Sequence, residues 1–149
     1  MSLHAYTRCW VHLVWSTLNH YPAIDRSQSP KIAHYLKDYA KSKNIYILTD
    51  FVNPDHVHCL IDLPSNLAID ETVKLLKGAS SHWINENRLV KGHFNWQRGY
   101  GGFSVSPSVS VLDKVVAYIN AQGEHHRIHT FEEEYEKLIV GYGLQFRKE

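Results

Sequence analysis

Apolar and polar residues alternate along residues 8–17, a pattern typical of a β-strand. Successive side chains of a strand point to opposite sides of a sheet, so this segment has two distinct faces. One face carries Cys9, Val11, Leu13 and Trp15, and the other carries Arg8, Trp10, His12 and Val14. The first face is the more apolar, and we predict that it lies against a core.

Similar patterns predict the other elements. Ile32, Leu36, Tyr39 and Ala40 have helical spacing, which predicts a helix at about residues 30–43. The short turn at residues 53–55 joins two apolar segments and predicts an antiparallel hairpin. The full order is a strand at 8–17, a helix at 30–43, strands at 45–52 and 56–63, a helix within 67–88, a strand near 103–105, a helix from about 108 and an amphipathic segment at 131–143.

This order predicts an α+β protein with a ferredoxin-like (RRM-like) antiparallel sheet. The helices after the first and third strands cover one face, and a C-terminal helix that carries Tyr118 follows the sheet. A chain of 149 residues fits a single domain, which we assign to residues 1–149.

Composition adds little about function. The chain is 44% hydrophobic and 21% charged, as in ordinary globular proteins, and it has no apolar run long enough to span a bilayer. The N-terminus does not resemble a signal peptide, so we expect a cytoplasmic protein without membrane partners. Two cysteines, Cys9 and Cys59, are too few for a disulfide scaffold, and we expect both to be buried, reduced thiols.

The third strand carries a pair of histidines on its less apolar face. Val57, Cys59, Ile61 and Leu63 share the core face by alternation, which leaves His56 and His58 side by side on the other. Two imidazoles at this spacing could hold one metal ion. An ordinary half-exposed strand is the alternative interpretation, and the pair alone does not exclude it.

The third predicted helix carries a second candidate pair. Tyr118 and Gln122 are four residues apart and therefore face the same side of a helix. A phenol with a pKa of about 10 needs a nearby cation to attack a phosphate, and a metal held by the histidines would supply it. The amide oxygen of Gln122 could be a further ligand, but spacing alone favours two residues on a helix surface.

Charge is concentrated in one block. The formal net charge of the chain is only +1, whereas residues 72–100 contain five basic residues and one acid, a net charge of +4. This asymmetry indicates either a basic surface for nucleic acid or a solvated helix face.

Four motifs together resemble the IS200-like transposases, the single-tyrosine members of the HUH nucleases. They are PDHVHCLIDLP, KGASSHWI, WQRGYGGFSVSPS and YINAQGEHH, and the similarity extends over about residues 6–129. The resemblance implies that His56, His58 and Gln122 are metal ligands for Mg²⁺ or Mn²⁺ and that Tyr118 is the nucleophile. The implied reaction is cleavage and rejoining of single-stranded DNA through a 5'-phosphotyrosine link.

The resemblance also implies partners. Family members recognise DNA hairpins and form homodimers in which the tyrosine helix of one subunit serves the histidine pair of the other. The basic block is our candidate for DNA contact, through Lys74, Lys77, Arg88, Lys91 and Arg98 on phosphates and Trp96 or Tyr100 stacked on a base. The acidic tail after Thr130 resembles the hairpin-associated (REP-associated) branch of the family.

Two other functions fit parts of the sequence. The same sheet serves as a non-catalytic nucleic-acid binding module, although the aromatic run typical of RNA-binding strands is missing. A metal-dependent hydrolase that acts through metal-bound water would need the histidines but not Tyr118.

Overall fold

A computed structural model describes residues 6–125 and 130–141. The remaining residues of the predicted 1–149 domain, including the end of the acidic tail, lie outside this description. The elements are β1 (Trp10–Ser16), α1 (Ser29–Ser42), β2 (Tyr46–Val52), β3 (His56–Asp62), α2 (Ile69–Glu86), β4 (Gly101–Ser104), α3 (Val109–Asn120), α4 (Gln122–His125) and α5 (Phe131–Gly141), with a 3-10 turn at Leu18–His20.

The four strands form one antiparallel sheet in the order β2-β3-β1-β4. This order, with α1 and α2 in the two crossovers, is the predicted ferredoxin-like arrangement. The predicted hairpin is present, since Asn53 N donates to His56 O at 2.8 Å across the turn between β2 and β3. Strand β4 begins two residues before its predicted start, because Gly101 and Gly102 pair with β1.

One face of the sheet forms the main core with α1 and α2. The predicted alternation is confirmed here, since Val11, Leu13 and Trp15 of β1 and Val57, Cys59 and Ile61 of β3 all belong to this core. Cys59 is a buried free thiol as predicted. Cys9 is also free but exposed, so its predicted burial is wrong: it lies just before β1 begins.

Three helices cover the opposite face of the sheet. Trp10 and Leu60 pack with Ile119 of α3, and Val14 and Phe103 pack with Phe131 of α5. The histidine face of the sheet is therefore covered by helices. Helix α3 ends at Asn120, and the short helix α4 then carries Gln122.

No helix within the described ranges is long and apolar enough to cross a membrane. Helices α3, α4 and α5 cover the face of the sheet that carries the histidines, and α1 and α2 cover the other face.

Candidate active site

Strand β3 projects His56 and His58 into the layer between the sheet and the C-terminal helices. Both histidines are 0% exposed, and their ring centroids are 5.1 Å apart in an edge-on arrangement. Alternation of side chains along β3 explains why the two rings lie on the same face. The predicted proximity of the pair is confirmed, although the pair is buried instead of half-exposed.

Each of these histidines has a partner at its Nδ1 atom. His56 Nδ1 lies 2.7 Å from a carboxylate oxygen of Asp55, and His58 Nδ1 lies 2.8 Å from His12 Nε2. A carboxylate only accepts hydrogen bonds when it is ionised, so His56 carries a proton on Nδ1. His58 Nδ1 and His12 Nε2 share one hydrogen bond, in which either ring can be the donor. Metal-binding histidines are typically held in this way, with the other ring nitrogen directed at the ion.

His12 remains neutral in this environment. Burial, followed by the charge of His58, lowers the pKa of His12 to about 3, although Glu134 opposes this shift. A neutral imidazole has one ring nitrogen that accepts a hydrogen bond, as the contact with His58 requires. The sequence placed His12 on this surface without assigning it a role.

Tyr118 and Gln122 reach the same layer from α3 and α4. The Tyr118 ring lies edge-on to His58, with centroids 5.8 Å apart, and Gln122 is 0% exposed. Asn53 Nδ2 lies 3.3 Å from Gln122 Oε1 and 3.1 Å from His56 Nε2. The four residues predicted for catalysis and metal binding are thus neighbours within a single chain.

A fifth functional candidate, Glu134 of α5, was not anticipated. It is 3% exposed, and its Oε1 lies 2.9 Å from His58 Nε2 and 3.3 Å from His56 Nε2. Its Oε2 accepts hydrogen bonds from the Tyr118 hydroxyl and, at 3.0 Å, from Gln122 Nε2. The carboxylate therefore touches all four predicted site residues.

A signal for Glu134 is present in the sequence. Phe131, Tyr135 and Leu138 form a helical stripe at i, i+4 and i+7, and Glu134 falls within it at i+3. A charge on an apolar stripe is rarely buried without a partner. The sequence pattern of charges alone indicates only an acidic tail for these glutamates.

Packing and ion pairs hold α5 against the histidines. The Phe131 ring stacks on His56 with centroids 4.2 Å apart. Glu132 accepts a 2.7 Å hydrogen bond from His20 in the turn after β1. These contacts fix the start of the helix, one turn before Glu134.

The charges in this cluster favour an ionised carboxylate. Burial would raise the pKa of Glu134, but hydrogen bonds from His56 and His58 outweigh it and lower the pKa to about 2. Burial would likewise lower the pKa of His56, yet the bonds to Asp55 and Glu134 raise it. A positive charge is therefore favoured between the rings and the carboxylate.

The donor set fits a divalent cation. His56, His58 and Glu134 offer ligand atoms that all lie within 4.8 Å of one another. Asn53 Oδ1 is a buried oxygen without a hydrogen-bond partner among the described residues. Mixed nitrogen and oxygen ligands suit Mn²⁺ and Zn²⁺, and the oxygens also suit Mg²⁺.

The predicted basic block is divided between two grooves. Lys74, Lys77, Arg98 and Tyr100 line one groove, between α2 and the loop before β4. Arg88 and Lys91 line another, together with residues 21–28. The block is therefore not one continuous surface.

Three residues of the first groove have structural contacts. Lys77 Nζ donates to the carbonyl oxygens of Gln97 and Gly99 at 2.6 and 2.8 Å, which joins α2 to the loop. The Tyr100 hydroxyl donates to Asp70; burial and this bond raise the pKa of Tyr100 to about 12.

Trp96 is only 8% exposed and donates to Ser80 Oγ at 3.0 Å, a core position that the sequence did not indicate. Lys74 and Arg98 are the exposed cations of this groove.

Trp83 of α2 is partly buried. Its ring stacks on Tyr35 of α1 with centroids 4.5 Å apart and packs against the main core. Its neighbour Ile84 takes the fully buried position.

Sequence comparisons identify similar proteins. Residues 5–122 match the family model described as "Transposase IS200 like". The ISDra2 transposase TnpA of Deinococcus radiodurans is 33% identical over 70 residues, which cover 47% of this chain and about half, 50%, of that relative. The IS200 transposase of Salmonella typhimurium is 24% identical over 130 residues, 84% of each chain.

Two solved structures have a similar fold. A transposase structure from Deinococcus radiodurans gives a TM-score of 0.62 at 22% identity, over 82% of this chain and 96% of that chain. A REP-associated tyrosine transposase bound to a REP hairpin gives a TM-score of 0.58 at 16% identity, over 85% and 74%. These likenesses confirm the predicted fold class.

Proposed function

Because the chain belongs to the IS200-like transposase family, we propose that it cleaves and rejoins single-stranded DNA through a covalent link to Tyr118. One observation carries this proposal: the Tyr118 hydroxyl, the Gln122 amide and the imidazoles of His56 and His58 all converge on a single carboxylate. A surface tyrosine and an incidental histidine pair would not meet in this way.

The reaction proceeds by two displacements at phosphorus. In cleavage, the Tyr118 oxygen bonds to the phosphorus, the bond to the 3' oxygen breaks, the phenolic proton passes to solvent and the 3' oxygen takes up a proton. In rejoining, a 3'-hydroxyl attacks the phosphotyrosine and releases Tyr118. The energy of the phosphodiester is retained in the tyrosine link, so no external energy source is consumed.

The chain supplies orientation and charge. Glu134 accepts the Tyr118 hydroxyl proton in a hydrogen bond, but its pKa of about 2 makes it a weak base, so it orients the phenol without removing the proton. His56, His58 and Gln122 would hold the divalent cation, Mg²⁺ or Mn²⁺. When bound, this cation supplies Lewis-acid polarisation of the phosphoryl oxygen.

We further propose that the chain binds a DNA hairpin, the ligand of one structure of similar fold, and that the first groove contacts it. Lys74 and Arg98 are exposed and suited to phosphate contacts, and Tyr100 offers a partly exposed ring for a base. Lys77 retains one ammonium proton beyond its two carbonyl bonds. Arg88 and Lys91 would contact a different part of the DNA from the second groove. The core position of Trp96 favours a structural role over stacking.

Homodimerisation and cytoplasmic action remain predictions. The single chain already brings Tyr118 to its own His58, so exchange of α3 between subunits would require that helix to leave its own sheet. Light scattering of the purified protein with and without hairpin DNA measures the oligomeric state.

The covalent step can be tested directly. Labelled single-stranded DNA that carries a hairpin is incubated with the protein and Mn²⁺, and the products are separated on a denaturing gel. We expect a protein–DNA adduct that Tyr118→Phe loses and that Tyr46→Phe, a change at an exposed tyrosine, retains. Cleavage without an adduct would indicate a hydrolase, and binding without cleavage under any metal would indicate a binding module.

A further inference from the structure

Glu134 is the one charged residue of α5 that is buried in the described part of that helix. It lies beyond residues 5–122, the segment that matches the family model. Its neighbours Glu132 and Glu133 are exposed. Burial of a carboxylate is costly unless hydrogen bonds or a cation compensate, so this position needs an explanation.

The distances around Glu134 are those of ligands around one ion. Donor atoms bound at about 2.1 Å lie roughly 3 Å apart in an octahedral site and about 3.4 Å apart in a tetrahedral one. Glu134 Oε1 is 2.9 Å from His58 Nε2 and 3.3 Å from His56 Nε2. All three ligand atoms lie within 4.8 Å of one another, so one cation could contact them together.

The tautomers of the histidines support the same interpretation. Asp55 accepts the Nδ1 proton of His56, and Asn53 Nδ2 approaches His56 Nε2 at 3.1 Å as a donor. These two contacts leave the Nε2 atom of His56 directed into the cluster, and His58 Nε2 lies there as well, 2.9 Å from Glu134 Oε1. Two imidazole nitrogens and a carboxylate oxygen that converge in this way form a donor set that a divalent cation binds.

We propose that Glu134 Oε1 is a ligand of the divalent cation held by His56 and His58, so that the C-terminal helix α5 completes the metal site. This inference rests on the proposed metal-dependent function. Through Oε2, the same carboxylate holds the hydroxyl of Tyr118, which couples the position of the nucleophile to the metal site.

Metal binding without DNA tests the proposal. Mn²⁺ is titrated calorimetrically into wild type, Glu134→Gln and Glu136→Gln, the last being a change at an exposed glutamate of the same helix. Loss of the carboxylate should weaken Mn²⁺ binding at least tenfold, whereas Glu136→Gln should bind like wild type. Unchanged binding by Glu134→Gln would refute the ligand role. Tighter binding would also refute it and would indicate that the carboxylate competes with the metal ion.

A measurement on the wild-type protein avoids dependence on the fold of the variant. Direct coordination shifts the infrared carboxylate bands, so the difference spectrum with and without Mn²⁺ should contain a band that Glu136→Gln retains and Glu134→Gln lacks. A wild-type spectrum without carboxylate changes, at saturating Mn²⁺, would overturn the proposal even if Glu134→Gln were unstable.

The failure of this inference is distinguishable from failure of the proposed function. If wild type binds Mn²⁺ and His56→Ala does not, the metal site stands, and the behaviour of Glu134→Gln decides only the role of Glu134. If wild type binds no divalent cation, the metal-dependent function itself fails.

Discussion

His12 Nε2 and His58 Nδ1 lie 2.8 Å apart in the buried layer between β1 and α3. In the antiparallel register of β1 and β3, His12 pairs with Leu60 and Val14 pairs with His58. His12 and His58 are therefore diagonal neighbours on one face of the sheet. The low pKa of His12, about 3, leaves it neutral and able to accept the Nδ1 proton of His58. His12 thereby positions the ring whose Nε2 faces the candidate metal site.

His12→Phe should weaken Mn²⁺ binding about 10- to 100-fold, the range typical for loss of a partner of a metal-binding histidine. Phenylalanine keeps the ring packing that His12 makes with Phe103 and Tyr118 but cannot accept a hydrogen bond. Calorimetric titration gives the affinity, with His82→Phe at an exposed histidine as control. Equal Mn²⁺ affinity in His12→Phe and wild type would contradict the positioning role.

Alternation along the strands predicted much of this site. It assigned Val57, Cys59 and Ile61 to the core and His56 and His58 to the other face, and both assignments are confirmed. Local periodicity contains this information because side-chain direction in a strand depends only on the parity of the position. The i, i+4 spacing that grouped Tyr118 with Gln122 is equally local. The two residues face the same site although α3 ends between them and Gln122 begins α4.

The contacts of Glu134 could not be obtained from periodicity. It lies 76 positions from His58 along the chain, and only the docking of α5 on the histidine-bearing face of the sheet brings them together. The basic block shows the same limit. Arg88 and Arg98 are near in sequence, yet the chain between them turns through the left-handed conformation at Gly92, and the two cations line different grooves.

Phe131→Ala should loosen α5 and thereby the site. The Phe131 ring is 5% exposed and stacks on His56, so its removal leaves a cavity beside the His56 ring. We expect a loss of about 3 kcal/mol in the free energy of unfolding, measured by urea denaturation, and weaker Mn²⁺ binding. Val140→Ala, at an exposed apolar residue of the same helix, should change neither quantity. Wild-type stability and Mn²⁺ affinity in Phe131→Ala would show that the helix does not hold the site.

Lys74→Ala with Arg98→Ala should weaken hairpin binding through lost phosphate contacts. With fewer phosphate contacts, fewer counterions are released when the DNA binds. The slope of log K against log salt should therefore become shallower by about 1 to 2 for the double variant. Fluorescence anisotropy with labelled hairpin DNA at several salt concentrations measures both quantities. Lys41→Ala, at an exposed lysine of α1, is the control. An unchanged salt slope in the double variant would exclude the first groove from DNA contact.

Asp50 on β2 predicts a pH dependence of stability that is separate from the active site. Its side chain is 3% exposed, and burial raises its pKa to about 7, although Lys37 Nζ at 3.8 Å opposes the shift. Asp50 Oδ2 has no hydrogen-bond partner among the described residues. The folded protein therefore binds the Asp50 proton more tightly than the unfolded chain does.

The sign of the effect follows from proton linkage. Between the ordinary aspartate pKa of 3.8 and about 7, the folded state binds more protons than the unfolded state, so this contribution to stability is full below pH 3.8 and falls as pH rises to about 7. The shift sets an upper limit of roughly 4 kcal/mol. Asp50→Asn should remove this fall and should exceed wild type in stability most clearly at pH 8. Urea denaturation from pH 5 to pH 8, with the exposed Asp113→Asn as control, measures it. An Asp50→Asn stability that runs parallel to wild type over this range would show that Asp50 titrates normally.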